Sequence, residues 1–186
     1  MKDRVVFALV RAYIRIVGFV KDRLHRDLPG LGWSARRLRR ERVLTVQGRR
    51  LIFDPAVGGA YGRLLAGQWN EPETHLFLNR LADSTTGVTF LDVGASVGAM
   101  VLDLAAHPNV RSIIAFEPHP PSADVCRRSA RLNGWSHVEI REVAVGATPG
   151  PGRLTVEPAS PLGGRLARTI AGQGRQVVVD VSTVDR

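Results

Sequence analysis

The stretch Val88-Thr89-Phe90-Leu91-Asp92-Val93-Gly94-Ala95-Ser96-Val97-Gly98 decides how this chain folds. Its first six residues are a nearly continuous run of β-formers, the pattern of a buried strand. Two glycines bracket the short segment that follows, and Ala99 to Ala106 then reads as a helix. Strand, glycine turn and helix in that order form the context of a nucleotide-binding turn. Gly94 can leave the strand in a backbone conformation closed to bulky residues. Gly98 is expected to keep the turn close to a ligand. Ser96 is placed to cap the helix, whose N-terminus offers unpaired N–H groups. A carboxylate would use those donors as well as a phosphate does.

Asp92 selects among ligands. A carboxylate beside a pyrophosphate would repel it, whereas S-adenosylmethionine has no phosphate and carries an α-ammonium and a sulfonium. An acid at the strand end suits that cationic end; a turn-forming Asp is the plain alternative. The second strand is Ser112-Ile113-Ile114-Ala115-Phe116, ending at Glu117-Pro118. Glu117 lies 19 residues past Gly98, where an acid accepts from both hydroxyls of a ribose; a solvated Glu before a turn is the alternative. Pro118, Pro120 and Pro121 end the strand and start a helix from about Ser122 to Leu132, with Asn133-Gly134 as its stop. His137 to Val145 reads as the third strand, and its end should border the adenine through Glu142, Val143 or Ala144. For Glu142 a plain surface role fits equally well. The expected cofactor-binding set is therefore Asp92, Gly94, Ala95, Ser96, Gly98, Glu117, Pro118, Glu142 and Ala144.

Upstream, Val43–Val46 and Arg50–Phe53 are β-like runs joined by a hairpin turn at Gln47-Gly48-Arg49. Gly58-Gly59 and Gly67 mark irregular chain. Glu73 to Leu81 reads as a helix with Leu76, Phe77 and Leu81 on one side. The organisation expected is a basic amphipathic segment over 1–42, a lead-in hairpin and helix over 43–87, and a nucleotide-binding α/β unit over 88–186.

The net charge of +9 is unevenly placed. Residues 1–50 hold 14 Lys and Arg against 4 Asp and Glu, and the rest of the chain is close to neutral. A nucleic-acid partner would call for basic groups around the site itself, so none is expected. Residues 4–26 read as an amphipathic helix, with Val5, Val6, Leu9, Val10, Tyr13, Ile16, Val17, Val20 and Leu24 on one broad face. Arg4, Arg11, Arg15, Gly18, Asp22 and Arg26 fall on the other. Arg11 and Arg15 would sit in mid-bilayer in a spanning helix, and the same arginines break up a signal peptide. Two readings stay open: a helix packed on its own domain or a partner, and a helix lying on an anionic membrane surface. The run Arg36-Arg37-Leu38-Arg39-Arg40 would strengthen the second or form a solvated face, and Leu28–Gly32 reads as a hinge before it. The location expected is the cytoplasm, peripheral to the inner face of the membrane if the helix lies on lipid. The single cysteine, Cys126, excludes an internal disulfide and reads as a packed side chain. The five histidines, His25, His75, His107, His119 and His137, show no metal-ligand spacing.

Taken in order, Gly67-Gln68-Trp69-Asn70-Glu71-Pro72-Glu73, Phe90 to Gly98, Ala115-Phe116-Glu117-Pro118-His119-Pro120, Leu132-Asn133-Gly134 and Val143-Ala144-Val145-Gly146 resemble the FkbM family of S-adenosylmethionine-dependent methyltransferases. The likeness covers roughly residues 60–186; Ser96 stands where the family often has Asn. It implies a Rossmann-like sheet, S-adenosylmethionine as cofactor, and O-methylation of a small-molecule or glycan acceptor, a sugar or secondary-metabolite hydroxyl. Such a transfer is an in-line displacement for which a protein supplies alignment and a base. No base is identified among these residues. The family normally continues with a strand like Ile-Lys-Ile-Asp-Val-Glu-Gly, and this chain ends where that strand should approach. The expectation is a sheet incomplete on its C-terminal side, with Phe90-Leu91-Asp92-Val93 as an unpaired apolar edge and 177–181 peripheral. Two other readings are a non-catalytic fragment or membrane-surface partner on the same fold, and a dinucleotide-dependent oxidoreductase. The last lacks the usual Gly-x-Gly-x-x-Gly, since Ala95-Ser96 replaces the second glycine.

Overall fold

The computed structural model describes residues 2–24, 38–157, 160–167 and 175–185. The hinge expected at 28–32 and Arg36 and Arg37 of the basic run lie outside the described residues.

Helix α1 spans Lys2–Leu24. Only part of its apolar surface is covered. Val10, Ile14 and Val17 are buried, whereas Val5, Leu9, Tyr13, Ile16 and Phe19 are exposed. The apolar residues occupy more of the circumference than a one-sided packing can cover. Strands β1 (Arg42–Val46) and β2 (Arg49–Phe53) pair antiparallel across a two-residue turn. Gln47 and Gly48 both have positive φ, 45° and 83°, which is the turn whose twist matches a hairpin. Leu44, Val46, Leu51 and Phe53 alternate or cluster onto the inner side and are buried.

Two 3-10 turns follow, Pro55–Ala60 and Gly62–Ala66. Between them Tyr61 is fully buried; its hydroxyl accepts from Asp54 N–H and donates to Ile52 C=O, each at 2.8 Å. Helix α2 (Pro72–Asp83) begins with proline at its first turn, where no N–H is needed. It packs through His75, Leu78 and Ala82. Leu76, Phe77 and Leu81, which share a side by helical spacing, are more than half exposed.

The chain then alternates strand and helix: β3 (Val88–Val93), α3 (Ala99–Leu104), β4 (Val110–Phe116), α4 (Pro120–Leu132) and β5 (Val138–Arg141). β3, β4 and β5 form a parallel sheet in that order. Helices α3 and α4 cover one sheet face, where Val101, Leu104 and Cys126 meet Phe90, Ile113, Ala115 and Ile140. This is a Rossmann-like α/β arrangement. Among the described residues β3 pairs with β4 alone and forms the sheet edge, and its Leu91 and Val93 are exposed on the face away from the helices.

The third strand is shorter than its residues suggest. The ladder stops at Arg141, and Ala144–Val145 (β6) belongs to a second sheet with β7 (Gly150–Glu157), β8 (Ser160–Ala167) and β9 (Arg175–Ser182). That sheet has the order β6-β9-β7-β8, so residues 177–181 are peripheral to the parallel sheet.

One apolar cluster crosses the chain positions 42 and 87. It joins Val10 and Ile14 of α1, Leu51 and Phe53 of the hairpin, Tyr61 and Leu64, and Leu102 and Val125 of the α/β unit. Polar contacts add to it: Ile52 N–H donates to Ser129 Oγ at 3.0 Å, and Arg50 N–H to Asn133 Oδ1 at 2.9 Å. The hairpin is thereby fixed to the buried side of α4.

Candidate functional site

At the end of β3 the chain must turn sharply, and two residues there have left-handed backbones, Gly94 (φ 87°) and Ser96 (φ 53°). The N–H groups of Gly94 and Ala95 both donate to Phe116 C=O, at 2.8 and 3.1 Å. The turn is thus tied to the end of β4. Ser96 N–H points to the same strand end and donates to Glu117 Oε2 at 2.7 Å. The other carboxylate oxygen, Oε1, accepts from His119 N–H at 2.9 Å. Glu117 is buried, and burial raises its carboxyl above the ordinary value against the opposing pull of those two N–H groups.

Asp92 sits one residue before the end of β3. Its Oδ2 is buried with no hydrogen-bond partner. Burial first, and the charge of Glu117 second, push its carboxyl up to about 6. A buried acceptor of this kind costs stability until a donor arrives.

Asp92, Gly94, Ala95 and Ser96 line a cleft of about 170 Å³, together with Asn70, Glu71 and His75 from the lead-in. A larger apolar cavity of about 500 Å³ lies between α2 and the start of β3, lined by Leu78, Leu81, Val88 and Phe90 among others. Ligands of open α/β sheets bind at the carboxyl ends of the strands, which favours the smaller, more polar cleft.

His75 is the residue the sequence reading left out. It is buried and stacked on Trp69, with ring centroids 4.4 Å apart and planes 10° apart. Its Nδ1 meets Asp103 Oδ2 at 2.8 Å, and its Nε2 is buried without a partner. Asn79 Nδ2 donates to the same Asp103 oxygen at 2.8 Å, and Arg49 lies 3.3 Å from the other. Burial alone would raise the Asp103 carboxyl; the hydrogen bonds from His75 and Asn79 and the nearby Arg49 guanidinium outweigh it and hold it below the ordinary value. The signal in sequence was the neighbourhood of Trp69-Asn70-Glu71, immediately before a helix whose inner side carries His75 beside Leu78 and Ala82.

The expected site residues thus divide. Asp92, Gly94, Ala95 and Ser96 share the cleft, and Glu117 joins them through Ser96, with half-buried Pro118 next to it. Ser96 does not cap α3. The cap is Gly98, with no side-chain hydrogen bond, and the positive φ of Ser96 turns its N–H to Glu117 instead. A Cβ at Gly98 would clash with Cys126 Sγ, so the glycine lets the turn pack on α4, and Gly98 is not among the residues lining the cleft. Glu142 and Ala144 do not line the cleft. Glu142 is exposed and lies 3.6 Å from Arg127, and Ala144 is buried with Leu154 and Val179 in the second sheet. The break in the ladder after Arg141 carries both away.

Among the described residues no group of three or more His, Cys, Asp or Glu could hold a metal ion. No helix among them is long and apolar enough to cross a membrane.

No protein-family model matches the chain, and no curated protein matches it. Solved structures resemble parts of it. The S-adenosylmethionine-dependent methyltransferase from Agrobacterium tumefaciens is 11% identical, over 56% of this chain and 32% of that one, with a TM-score of 0.43. Pyrococcus horikoshii TYW2 in complex with MeSAdo is 16% identical over 57% of this chain and 37% of that one, with a TM-score of 0.42. Methanocaldococcus jannaschii Trm5 in complex with adenosine is 18% identical over 57% and 30%, with a TM-score of 0.39. The matched region spans about a third of the length of these structures.

Proposed function

We propose that this chain binds S-adenosylmethionine at the ends of β3 and β4 and belongs to an O-methyltransferase of the FkbM type. The observation that carries the reading is the buried, partnerless Oδ2 of Asp92 in a cleft beside the glycine turn. An acceptor in that position calls for a donor or a cation, and the α-ammonium of the cofactor is both. Space above Gly94 is open, since a Cβ there would meet nothing within 4 Å. Glu117 would hold the ribose: each of its oxygens accepts one N–H and keeps a lone pair for a hydroxyl. When bound, the cofactor supplies an electrophilic methyl group for transfer to a hydroxyl. The acceptor we propose is a sugar or secondary-metabolite hydroxyl, on the resemblance of the four sequence stretches named above. A dinucleotide is disfavoured because its pyrophosphate would lie beside Asp92.

Calorimetric titration with S-adenosylhomocysteine and, separately, with NAD tests this. Binding of the first at micromolar concentration and none of the second supports the reading; the reverse pattern makes the chain a dinucleotide-binding protein. Binding of neither leaves a non-catalytic module on the same fold.

A second reading concerns α1 and is favoured by its exposed Val5, Leu9, Ile16 and Phe19. We propose that these side chains lie on an anionic membrane surface, which the basic N-terminal segment attracts. That would put a cytoplasmic protein on the inner face of the membrane.

A further inference from the structure

We infer that His75 is a second acceptor for the amino-acid end of the ligand, so that Asp92 and His75 together grip one primary ammonium group. The inference rests on the cofactor reading above and names the residue that selects the amino-acid end.

Both side chains line the same small cleft, and each has one buried polar atom without a partner, Asp92 Oδ2 and His75 Nε2. The neighbour selects the tautomer. Asp103 is a carboxylate and can only accept, so Nδ1 of His75 carries the hydrogen, and in the neutral ring that tautomer presents a lone pair at Nε2. Two acceptors in one cleft match a ligand group with several donors, and an ammonium has three.

The ring has no freedom to satisfy itself elsewhere. Trp69 stacks on it, Asp103 fixes Nδ1, and Asn79 and Arg49 fix Asp103. Such a supported ring is a prepared contact rather than a packing residue. The charged groups around it are Asp103, bonded to its Nδ1, Arg49 paired with Asp103, and Asp92 and Glu71 in the lining of the same cleft. At about 170 Å³ the cleft is smaller than the roughly 300–1,000 Å³ of sites that enclose a whole drug-sized ligand. It takes one end of the ligand, and its acceptors choose the ammonium end.

The test compares S-adenosylhomocysteine with 5′-methylthioadenosine, which shares the nucleoside but lacks the amino-acid group. Calorimetry on the full chain should show the first binding at least about tenfold more tightly, from one or two charge-assisted hydrogen bonds. In His75→Phe that preference should collapse while 5′-methylthioadenosine binds as before, and His75→Gln, which keeps an acceptor, should retain part of it. Should His75→Phe fail to fold, the wild-type protein answers by nitrogen NMR of labelled histidine: the His75 Nε2 resonance should move with S-adenosylhomocysteine and stay in place with 5′-methylthioadenosine. An undiminished preference in His75→Phe, or an Nε2 resonance indifferent to S-adenosylhomocysteine, overturns this inference and leaves the cofactor reading standing. Binding of neither nucleoside overturns both.

Discussion

The backbone N–H of Ser96 donates to the side chain of Glu117 at 2.7 Å, joining the turn after β3 to the end of β4. One carboxylate thereby sets the shape of the cleft floor before any ligand is present. Its second oxygen performs the same service for His119 at 2.9 Å.

Replacing Glu117 by Ala removes both contacts and leaves two N–H groups without an acceptor. Hydrogen bonds to a charged group contribute about 1.5–3 kcal/mol each before compensation. The variant should melt well below the wild type and bind S-adenosylhomocysteine at least tenfold more weakly. Glu117→Gln, which keeps one acceptor oxygen, should recover part of the melting temperature. Unchanged melting in Glu117→Ala would show that the bridge does not hold the turn.

Asp92 gives a prediction with a pH sign. Its folded-state value of about 6 lies above the usual 3.8, so its contribution to stability is fully present below pH 4 and is lost as pH rises through 6. Asp92→Asn removes the ionisation. Without ligand it should therefore be more stable than the wild type at pH 8, by up to about 3 kcal/mol, and no more stable at pH 4. It should also lose affinity for S-adenosylhomocysteine, the usual trade between stability and function. Denaturant melts at the two pH values check the sign; a variant less stable at pH 8 contradicts it.

Gly94 and Gly98 have similar backbones, φ 87° and 85°, in different surroundings. Gly94→Ala meets only the backbone preference, about 1–2 kcal/mol. Gly98→Ala adds a clash with Cys126 Sγ and should cost more. Cys126→Ala should relieve part of that extra loss while leaving Gly94→Ala unaffected, which a double-mutant cycle measures. Equal losses at the two glycines would contradict the packing role of Gly98.

Leu9 and Ile16 are 65% and 59% exposed on α1. Leu9→Glu combined with Ile16→Glu should leave the melting temperature within a few degrees of the wild type and abolish flotation with phosphatidylglycerol vesicles. Wild-type protein that stays in the soluble fraction sinks the membrane reading; a large stability loss would mean that these side chains are packed.

How much of this was legible in the sequence follows from what each residue responds to. The run Val88–Val93, the glycine turn and the helix Pro120–Leu132 answer to local periodicity and backbone preference, and they stand where the pattern put them. The hairpin at Gln47-Gly48 is equally local. Tertiary choices were not legible. Apolar Leu76 and Phe77 face outward on α2 because His75 and Asn79 find a buried acceptor in Asp103, 28 and 24 residues further along. Ser96 has a capping residue's chemistry, but its positive φ takes it out of capping geometry. Strand β5 ends at Arg141 because the next residues pair with β9, nearly 40 residues away, which no window of neighbouring residues contains.

The cleft at the ends of β3 and β4 is the centre of the account, and calorimetry of the full chain with S-adenosylhomocysteine tests it most directly. We predict one site per chain, micromolar affinity, and loss of binding in both Asp92→Asn and Glu117→Ala. A wild-type protein that is folded and shows no heat of binding, or variants that both bind as tightly as the wild type, would contradict it.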